Sequence, residues 1–335
     1  MTTTREILAS SLTTLAAQLT EYTMTSSVTV LAMHPQMRSL FPNPPQRWQW
    51  IQPGENIEAI IDQHGSEVEI LLSASIEKLD KAMLARFPNL RMIASISAGF
   101  SNIDLQECRS RGIAVTNAPG MNSGDVADLA STLLTSLLLR LPQSQSYIMN
   151  NQWVTQAGPL RHSLRNMPVG IVGLGAIGRE LVKRLTPFGF RLKWWGPRAK
   201  PNTGLPYVET IEALADESCG LIVCCRPDES NRHLINKDIL DRLGSDGVLV
   251  NVSRGSLVDE SALINALRSG RLGGAALDVF DPEPTSAARW NGVPNVILTP
   301  HQGGSTHETL FAQAKFAQSN IENFLDGEPL HSSVL

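Results

Sequence analysis

Cysteine is scarce: Cys108, Cys219, Cys224 and Cys225 are the only four in 335 residues. Their spacing offers no paired C-x-x-C ligands for zinc and their density is too low for a disulfide scaffold, so no metal site is expected and a reducing compartment is. Cys224-Cys225 follows the apolar run Leu221-Ile222-Val223 and reads as a pair of buried thiols. Positive charge is not in excess either. Lys and Arg number 28 against 32 Asp and Glu, a net charge of -4, which removes the electrostatic footprint of a nucleic-acid or anionic-membrane partner. No stretch approaches the roughly 18 consecutive apolar residues of a bilayer span, and residues 1–6 lack the basic start of a secretory signal, so a cytoplasmic location is expected. Repeats and low-complexity tracts are missing as well.

What is present is the composition of a packed globule, 42% hydrophobic and 18% charged, in a chain long enough for two domains. Residues 1–27 precede the first clear strand and carry Leu8, Leu12, Leu15, Leu19 and Tyr22 at alternating four- and three-residue steps behind the capping-box pair Thr3 and Glu6. That pattern predicts an amphipathic helical extension whose apolar seam is covered by the substrate domain or a dimer partner. From 28 to about 120, short apolar strands (28–33, 68–72, 92–96, 113–116) alternate with a helix over 76–87, the signature of βαβ units. A long apolar helix over 123–141, opened by Asn122-Ser123-Gly124-Asp125 and closed by Pro142, is expected between layers or at a subunit contact. A second series of about six strands follows at 168–172, 191–195, 221–225, 248–252, 274–278 and 296–298, then a last helix over 307–325. The expected fold class is α/β, with two doubly wound parallel-sheet domains. A Rossmann-type cofactor domain takes 122–302, and a smaller flavodoxin-like substrate domain takes 28–121 plus 303–335.

Strand 168–172 runs into Gly173-Leu174-Gly175-Ala176-Ile177-Gly178 and then a helical pattern from Arg179. A lone G-x-G-x-x-G is a weak signal; one that follows an apolar strand and opens a helix predicts a dinucleotide site. Gly173 permits the sharp turn, Gly175 lets backbone N–H groups approach a pyrophosphate at the helix start (Ala176, Ile177), and Gly178 lets helix and strand pack closely. An NAD site usually carries Asp or Glu about 20 residues further on for the ribose hydroxyls. Here Gly196-Pro197-Arg198-Ala199-Lys200 stands in its place. Arg198 offers a 2′-phosphate a bidentate fork and Lys200 a second charge, so NADP is expected as the preferred cofactor, with NAD admitted as a second. The alternative is a solvated basic turn.

Ligands of open α/β sheets sit beyond the carboxyl ends of the strands. Arg254 follows strand 248–252, Asp278 and Glu283 follow 274–278, and His301 follows 296–298. The other six histidines (His34, His64, His162, His233, His307, His331) get a structural reading. A carboxylate beside His301 would stabilise imidazolium and orient the ring, as an acid that delivers a proton near neutral pH requires.

With these residues the chain resembles the D-2-hydroxyacid dehydrogenases, the two-domain group that includes glyoxylate and hydroxypyruvate reductases, and is most similar to the hydroxyphenylpyruvate/hydroxypyruvate reductase branch. The likeness covers about residues 28 to 335. It rests on Ser97-Ala98-Gly99-Phe100 within 97–104, Thr116-Asn117-Ala118-Pro119-Gly120 within 111–120, Gly124-Asp125-Val126-Ala127 within 124–130, the glycine loop and the three strand-end segments. The resemblance implies that Arg254 pairs with the substrate carboxylate and polarises the keto oxygen, that His301 donates the proton, and that Glu283 tunes His301. It also implies that backbone N–H groups around Ala98, Gly99 and Phe100 bind the carboxylate, and that Asp278 holds the nicotinamide carboxamide. Val252, Gly303, His301 and the segment Cys225-Arg226-Pro227 complete the implied cofactor contacts. The implied substrate is a small 2-keto acid and the implied assembly a homodimer.

Two departures stand out. Met121-Asn122-Ser123 replaces the family's more usual apolar-Leu-Thr stretch, and Arg226 stands where the family commonly has proline or another uncharged residue. Arg226 either joins Arg198 at the 2′-phosphate or belongs to a solvated loop. The pocket wall that reads the substrate's R group is not fixed by sequence; its candidates are His34, Met37, Phe100, Met121 and Trp153. Two other readings are a dinucleotide-sensing corepressor on the same fold, which has no use for Arg254, Glu283 and His301 together, and a phosphoglycerate-type dehydrogenase, which often carries a C-terminal regulatory extension. Formate oxidation would favour glutamine where Glu283 stands.

Overall fold

A computed structural model describes residues 27–335 apart from 52–55, 75–76, 156 and 159. The helical extension expected over 1–27 lies, but for Ser27, outside the described residues. The chain forms two compact units, one running through the described residues to Pro119 and resuming at Leu310–Leu335, the other Gly120–Thr309. Residues 303–309, expected with the first, cluster with the second, where Gly303, Thr306 and Thr309 hydrogen-bond to Asp278 and Asp125.

The first unit contains β1 (Val28–Ala32), β2 (Trp48–Ile51), α1 (Ile57–His64), β3 (Ile70–Ser73), α2 (Lys81–Leu84), β4 (Met92–Ser95), α3 (Leu105–Arg111) and β5 (Ala114–Thr116). Its five parallel strands lie in the order β2-β1-β3-β4-β5, the flavodoxin-like winding. Alternate residues feed two cores: Val30, Ile70, Met92 and Ala94 on one face, Leu31, Leu71, Ile93 and Val115 on the other. This period of two buries both faces, as parallel sheets require. Sequence reading missed β2, a four-residue edge strand set between Pro45 and Pro53. The helix expected over 76–87 shrinks to α2, because Asp80 caps it by accepting from the Met83 N–H at 3.0 Å, while Leu79 is held in a bridge to Ile103.

The second unit contains α4 (Ser123–Leu138), α5 (Leu141–Met149), β6 (Pro168–Val172), α6 (Ala176–Leu185), β7 (Arg191–Trp195), α7 (Ile211–Asp216), β8 (Gly220–Val223), α8 (Lys237–Leu243), β9 (Val248–Asn251), α9 (Glu260–Arg268), β10 (Gly274–Leu277), α10 (Ala287–Trp290) and β11 (Val296–Leu298). The final helix, α11 (His307–Asp326), contributes Ala314, Ala317 and Ile321 to the first unit's core. The six strands are parallel in the order β11-β10-β9-β8-β6-β7. Beside β7, Tyr207 makes a single parallel bridge to Trp194. With that stub counted third, the order is the 3-2-1-4-5-6 winding of a dinucleotide domain plus β11 at the far edge.

Ala127, Ala130, Leu134 and Leu137 of α4 recur at helical spacing and are buried in the core shared with β6, β8, β9 and β10. Pro142 does not close this helix as expected; it opens α5, where proline is tolerated in the first turn. Among the described residues no helix is long and apolar enough to cross a membrane.

Candidate active site

The glycine loop leaves β6 at Gly173, whose φ of +102° is open to glycine and strained for other residues. A Cβ there would meet the Cys225 backbone at 2.6 Å, and one at Gly178 would come within 2.4 Å of the Gly173 carbonyl oxygen. These two glycines are fixed by packing inside the unit. Gly175 differs: it is the N-cap of α6, provides no side-chain cap, and a Cβ on it would enter open space. The first-turn N–H groups of a ten-residue helix and its positive dipole end therefore face a space that only glycine leaves clear, which fits a pyrophosphate.

Beyond β7, Arg198 is exposed and forms no ion pair among the described residues. Lys200 turns back to donate to the Leu174 carbonyl at 2.7 Å, bracing the glycine loop. Gly196 is buried against Trp194, and its carbonyl accepts from the Tyr207 hydroxyl at 3.0 Å. Cys224 donates its thiol to the Gly173 carbonyl at 3.0 Å, and burial pushes the Cys225 thiol up to about 11, so neither is a ready nucleophile. Pro227 is half-buried and Arg226 exposed, with the Arg226 carbonyl accepting from Asn231 Nδ2 at 2.9 Å.

Arg254, Glu283 and His301 all emerge at the carboxyl edge of the six-stranded sheet. Asn251, fully buried at the end of β9, brackets the arginine's turn by accepting from the Ser253 N–H at 3.1 Å and donating to the Arg254 carbonyl at 2.9 Å. Arg254 donates to the Ser253 carbonyl at 2.7 Å. Burial pulls its guanidinium below the ordinary range and the negative charge of Glu283 opposes that pull. A partly desolvated cation of this kind gains from an incoming anion.

His301 has a φ of +49°, an uncommon conformation for a non-glycine residue that functional sites often hold. Its Nδ1 lies 2.8 Å from Glu283 Oε2, while Glu283 Oε1 accepts from the Phe280 N–H at 2.8 Å. Burial would raise the Glu283 carboxyl, but the His301 hydrogen bond, the Phe280 N–H and the charges of His301 and Arg254 outweigh it and hold it below the ordinary carboxylate range. Asp278, 2% exposed, organises the loop that carries His301: Oδ1 accepts from Thr299 Oγ1 at 2.6 Å and the Gln302 N–H at 2.9 Å, and Oδ2 from the Gly303 N–H at 2.9 Å. Three of its roughly four acceptor positions are filled by protein donors. Val252 is buried, its N–H donating to the Val223 carbonyl at 3.2 Å.

In the first unit, Ala98, Gly99 and Phe100 form the loop after β4. Asn117 Nδ2 donates to the Ala98 carbonyl at 2.7 Å, the Ala118 N–H to the Ser97 carbonyl at 2.9 Å, and the Ile103 N–H to the Phe100 carbonyl at 3.1 Å. Among the residues considered for reading the R group, Met37 is 2% exposed within that unit's core and is unavailable to a ligand. Trp153 lies at the surface, 69% exposed.

Sequence reading overlooked Asn251 and Thr299, polar residues at strand ends whose side chains bond to nearby backbone or to Asp278. An Asn or Thr directly after an apolar strand was the available signal. It also overlooked Glu260 and Arg289, which carry no local motif.

Residues 131–303 match the family model "D-isomer specific 2-hydroxyacid dehydrogenase, NAD binding domain". The chain is 36% identical over 286 residues to a glyoxylate/hydroxypyruvate reductase A of Arabidopsis thaliana, covering 85% of this chain and 91% of that one. It is 34% identical over the same length to a hydroxyphenylpyruvate reductase of Plectranthus scutellarioides, again 85% and 91%. Among solved structures it superposes, with a TM-score of 0.81 and 31% identity, on an NADPH-dependent glyoxylate/hydroxypyruvate reductase from Sinorhizobium meliloti in complex with NADP and malonate, covering 92% and 97% of the two chains.

Proposed function

The chain belongs to the D-isomer specific 2-hydroxyacid dehydrogenase family, and from that premise we propose that it transfers hydride from NADPH to a small 2-keto acid such as glyoxylate or hydroxypyruvate, giving the D-2-hydroxy acid. The carrying observation is the His301 Nδ1 to Glu283 Oε2 contact of 2.8 Å on the sheet edge that also presents Arg254. When bound, the reduced nicotinamide supplies hydride to the carbonyl carbon. As the π pair moves onto oxygen, His301 Nε2 delivers a proton there and becomes neutral imidazole. Glu283, ionised through the neutral range, holds the ring by its Nδ1 and stabilises the imidazolium beforehand. Arg254 pairs with the substrate carboxylate and stabilises the charge that develops on the keto oxygen.

The family resemblance supports a role for the backbone N–H groups of residues 98–100 in binding the substrate carboxylate, and for Asp278 in accepting from the nicotinamide carboxamide. Preference for NADP is supported by the exposed Arg198 and the lack of a carboxylate after β7. Lys200 acts chiefly through the loop it braces. The name and bound NADP of the Sinorhizobium meliloti protein agree with that preference. A cytoplasmic location is supported by the free thiols of Cys108, Cys219, Cys224 and Cys225.

A homodimer completes the reading. Its basis moves from α4, which is buried in its own unit, to the stretch after it: Leu141, Ile148, Met149, Trp153, Val154 and Leu160 are all large, apolar and exposed, a concentration that surfaces of monomers rarely show. The test of function is an assay of glyoxylate, hydroxypyruvate, pyruvate and 4-hydroxyphenylpyruvate with NADPH and with NADH. Turnover of glyoxylate or hydroxypyruvate with a higher kcat/KM for NADPH is expected. Absence of turnover with every keto acid would refute the reading, and a higher kcat/KM with NADH would reject the cofactor preference.

A further inference from the structure

A second layer of ionic contacts lies behind the His301 and Glu283 pair, and the chemistry above makes no use of it. Glu260, the first residue of α9, is 4% exposed. Its Oε1 accepts from the Asp281 N–H at 2.7 Å, and its Oε2 stands 3.1 Å from Arg289 Nη2. Arg289 turns Nη1 to the Asp281 carbonyl at 3.1 Å, and Arg232 pairs with the Asp281 carboxylate at 2.8 Å. One residue of the loop, Asp281, is thus gripped by its N–H, its carbonyl and its side chain. On either side of that grip lie the Phe280 N–H and the Glu283 carboxylate, which bond to each other while Glu283 holds His301. The segment that delivers Arg254 also lies against the loop, since a Cβ on Gly255 would sit 1.9 Å from the Phe280 carbonyl carbon.

A buried charge is an expensive way to pin a loop. Burial pushes the Glu260 carboxyl up; the Asp281 N–H and Arg289 lower it only in part, and the charges of Asp281 and Glu283 add to the rise. The groups facing it are Arg289 from α10, Asp281 and Glu283 from the loop, and Arg232, His233 and Asp259, which line the adjoining polar cleft. Replacing such an ion pair by apolar packing is often neutral or stabilising, so stability alone does not account for a carboxylate here. The arrangement does account for how Glu283 is aimed.

We propose that Glu260 and Arg289 are positioning residues for the proton donor, holding loop 280–284 so that Glu283 stays within hydrogen-bond reach of His301 Nδ1. This rests on the reading of His301 as donor. Glutamine at position 260 keeps the shape but must turn an NH2 group toward either the Asp281 N–H or Arg289, so the gripped peptide shifts.

The test is the pH profile of kcat, with glyoxylate and NADPH, for Glu260→Gln and Arg289→Lys, each alone and combined with Glu283→Gln. Glu260→Gln should lower kcat about tenfold, a fraction of what a general acid contributes, with KM for NADPH unchanged. The alkaline limb should move as well, because Glu283 no longer keeps its place 2.8 Å from His301 Nδ1. No further loss should appear where Glu283 is already glutamine, the non-additivity expected of residues that act through one another. Arg289→Lys, altered at a partly exposed side chain, repeats the comparison in weaker form should the buried variant not fold. An unmoved alkaline limb in both variants, or an equal fractional loss in the Glu283→Gln background, would overturn the proposal. Near-normal turnover of His301→Ala would overturn it together with the donor reading, whereas a severe loss there beside a wild-type profile for Glu260→Gln overturns this proposal alone.

Discussion

Glu283 shows how one side chain links stability and chemistry. Its folded carboxyl lies below the ordinary value of 4.5, so its ionised form is favoured by the native state. That contribution is present above about the ordinary value and is lost as pH falls through the depressed one. Melting temperature measured from pH 6 downward should therefore fall less steeply for Glu283→Gln than for wild type, and parallel curves would contradict the assignment. The position is partly exposed, which limits the size of the effect. Arg198 gives a second prediction at this scale. Arg198→Asp removes a charge-assisted fork and adds a repelling charge, so kcat/KM with NADPH should fall by about ten- to a hundredfold while NADH is spared. An equal loss with both cofactors would remove Arg198 from the 2′-phosphate.

Within the glycine loop, three glycines that look alike in sequence do different work. Gly178→Ala would drive a Cβ to 2.4 Å from the Gly173 carbonyl oxygen, and overpacking of this kind should cost about 1–3 kcal/mol in urea unfolding. A Cβ on Gly175 would enter open space, so in Gly175→Val the fold should survive and NADPH binding should be lost. Unchanged NADPH affinity in Gly175→Val would contradict the site. The loop itself was readable because strand, glycines and helix obey local rules of period and backbone freedom. So were the strand ends that deliver Arg254, Glu283 and His301, since apolar runs mark where each strand stops. What was not readable depends on contacts remote in sequence. Lys200 reaches back 26 residues to Leu174, and Glu260 meets Asp281 across 21. Strand β2 escaped because it is a short edge element between prolines, and α5 because Pro142 reads equally as the end of one helix or the start of the next.

The whole molecule comprises two parallel-sheet units, and the ionisable set lies in only one of them. At this scale the exposed apolar row between Leu141 and Leu160 bears on assembly. Light scattering should give a dimer for the wild-type chain and a monomer for Met149→Asp/Val154→Asp, and a wild-type monomer would reject the homodimer. At the same scale stands the reduction of a keto acid with His301 as the proposed proton donor. Its most direct test is the steady-state reduction of glyoxylate by His301→Ala, with NADPH binding followed by fluorescence in the same preparation. Turnover is predicted to fall by about a hundred- to ten-thousandfold, the range of a positioned general acid, while NADPH affinity stays at the wild-type value; near-normal turnover would contradict it.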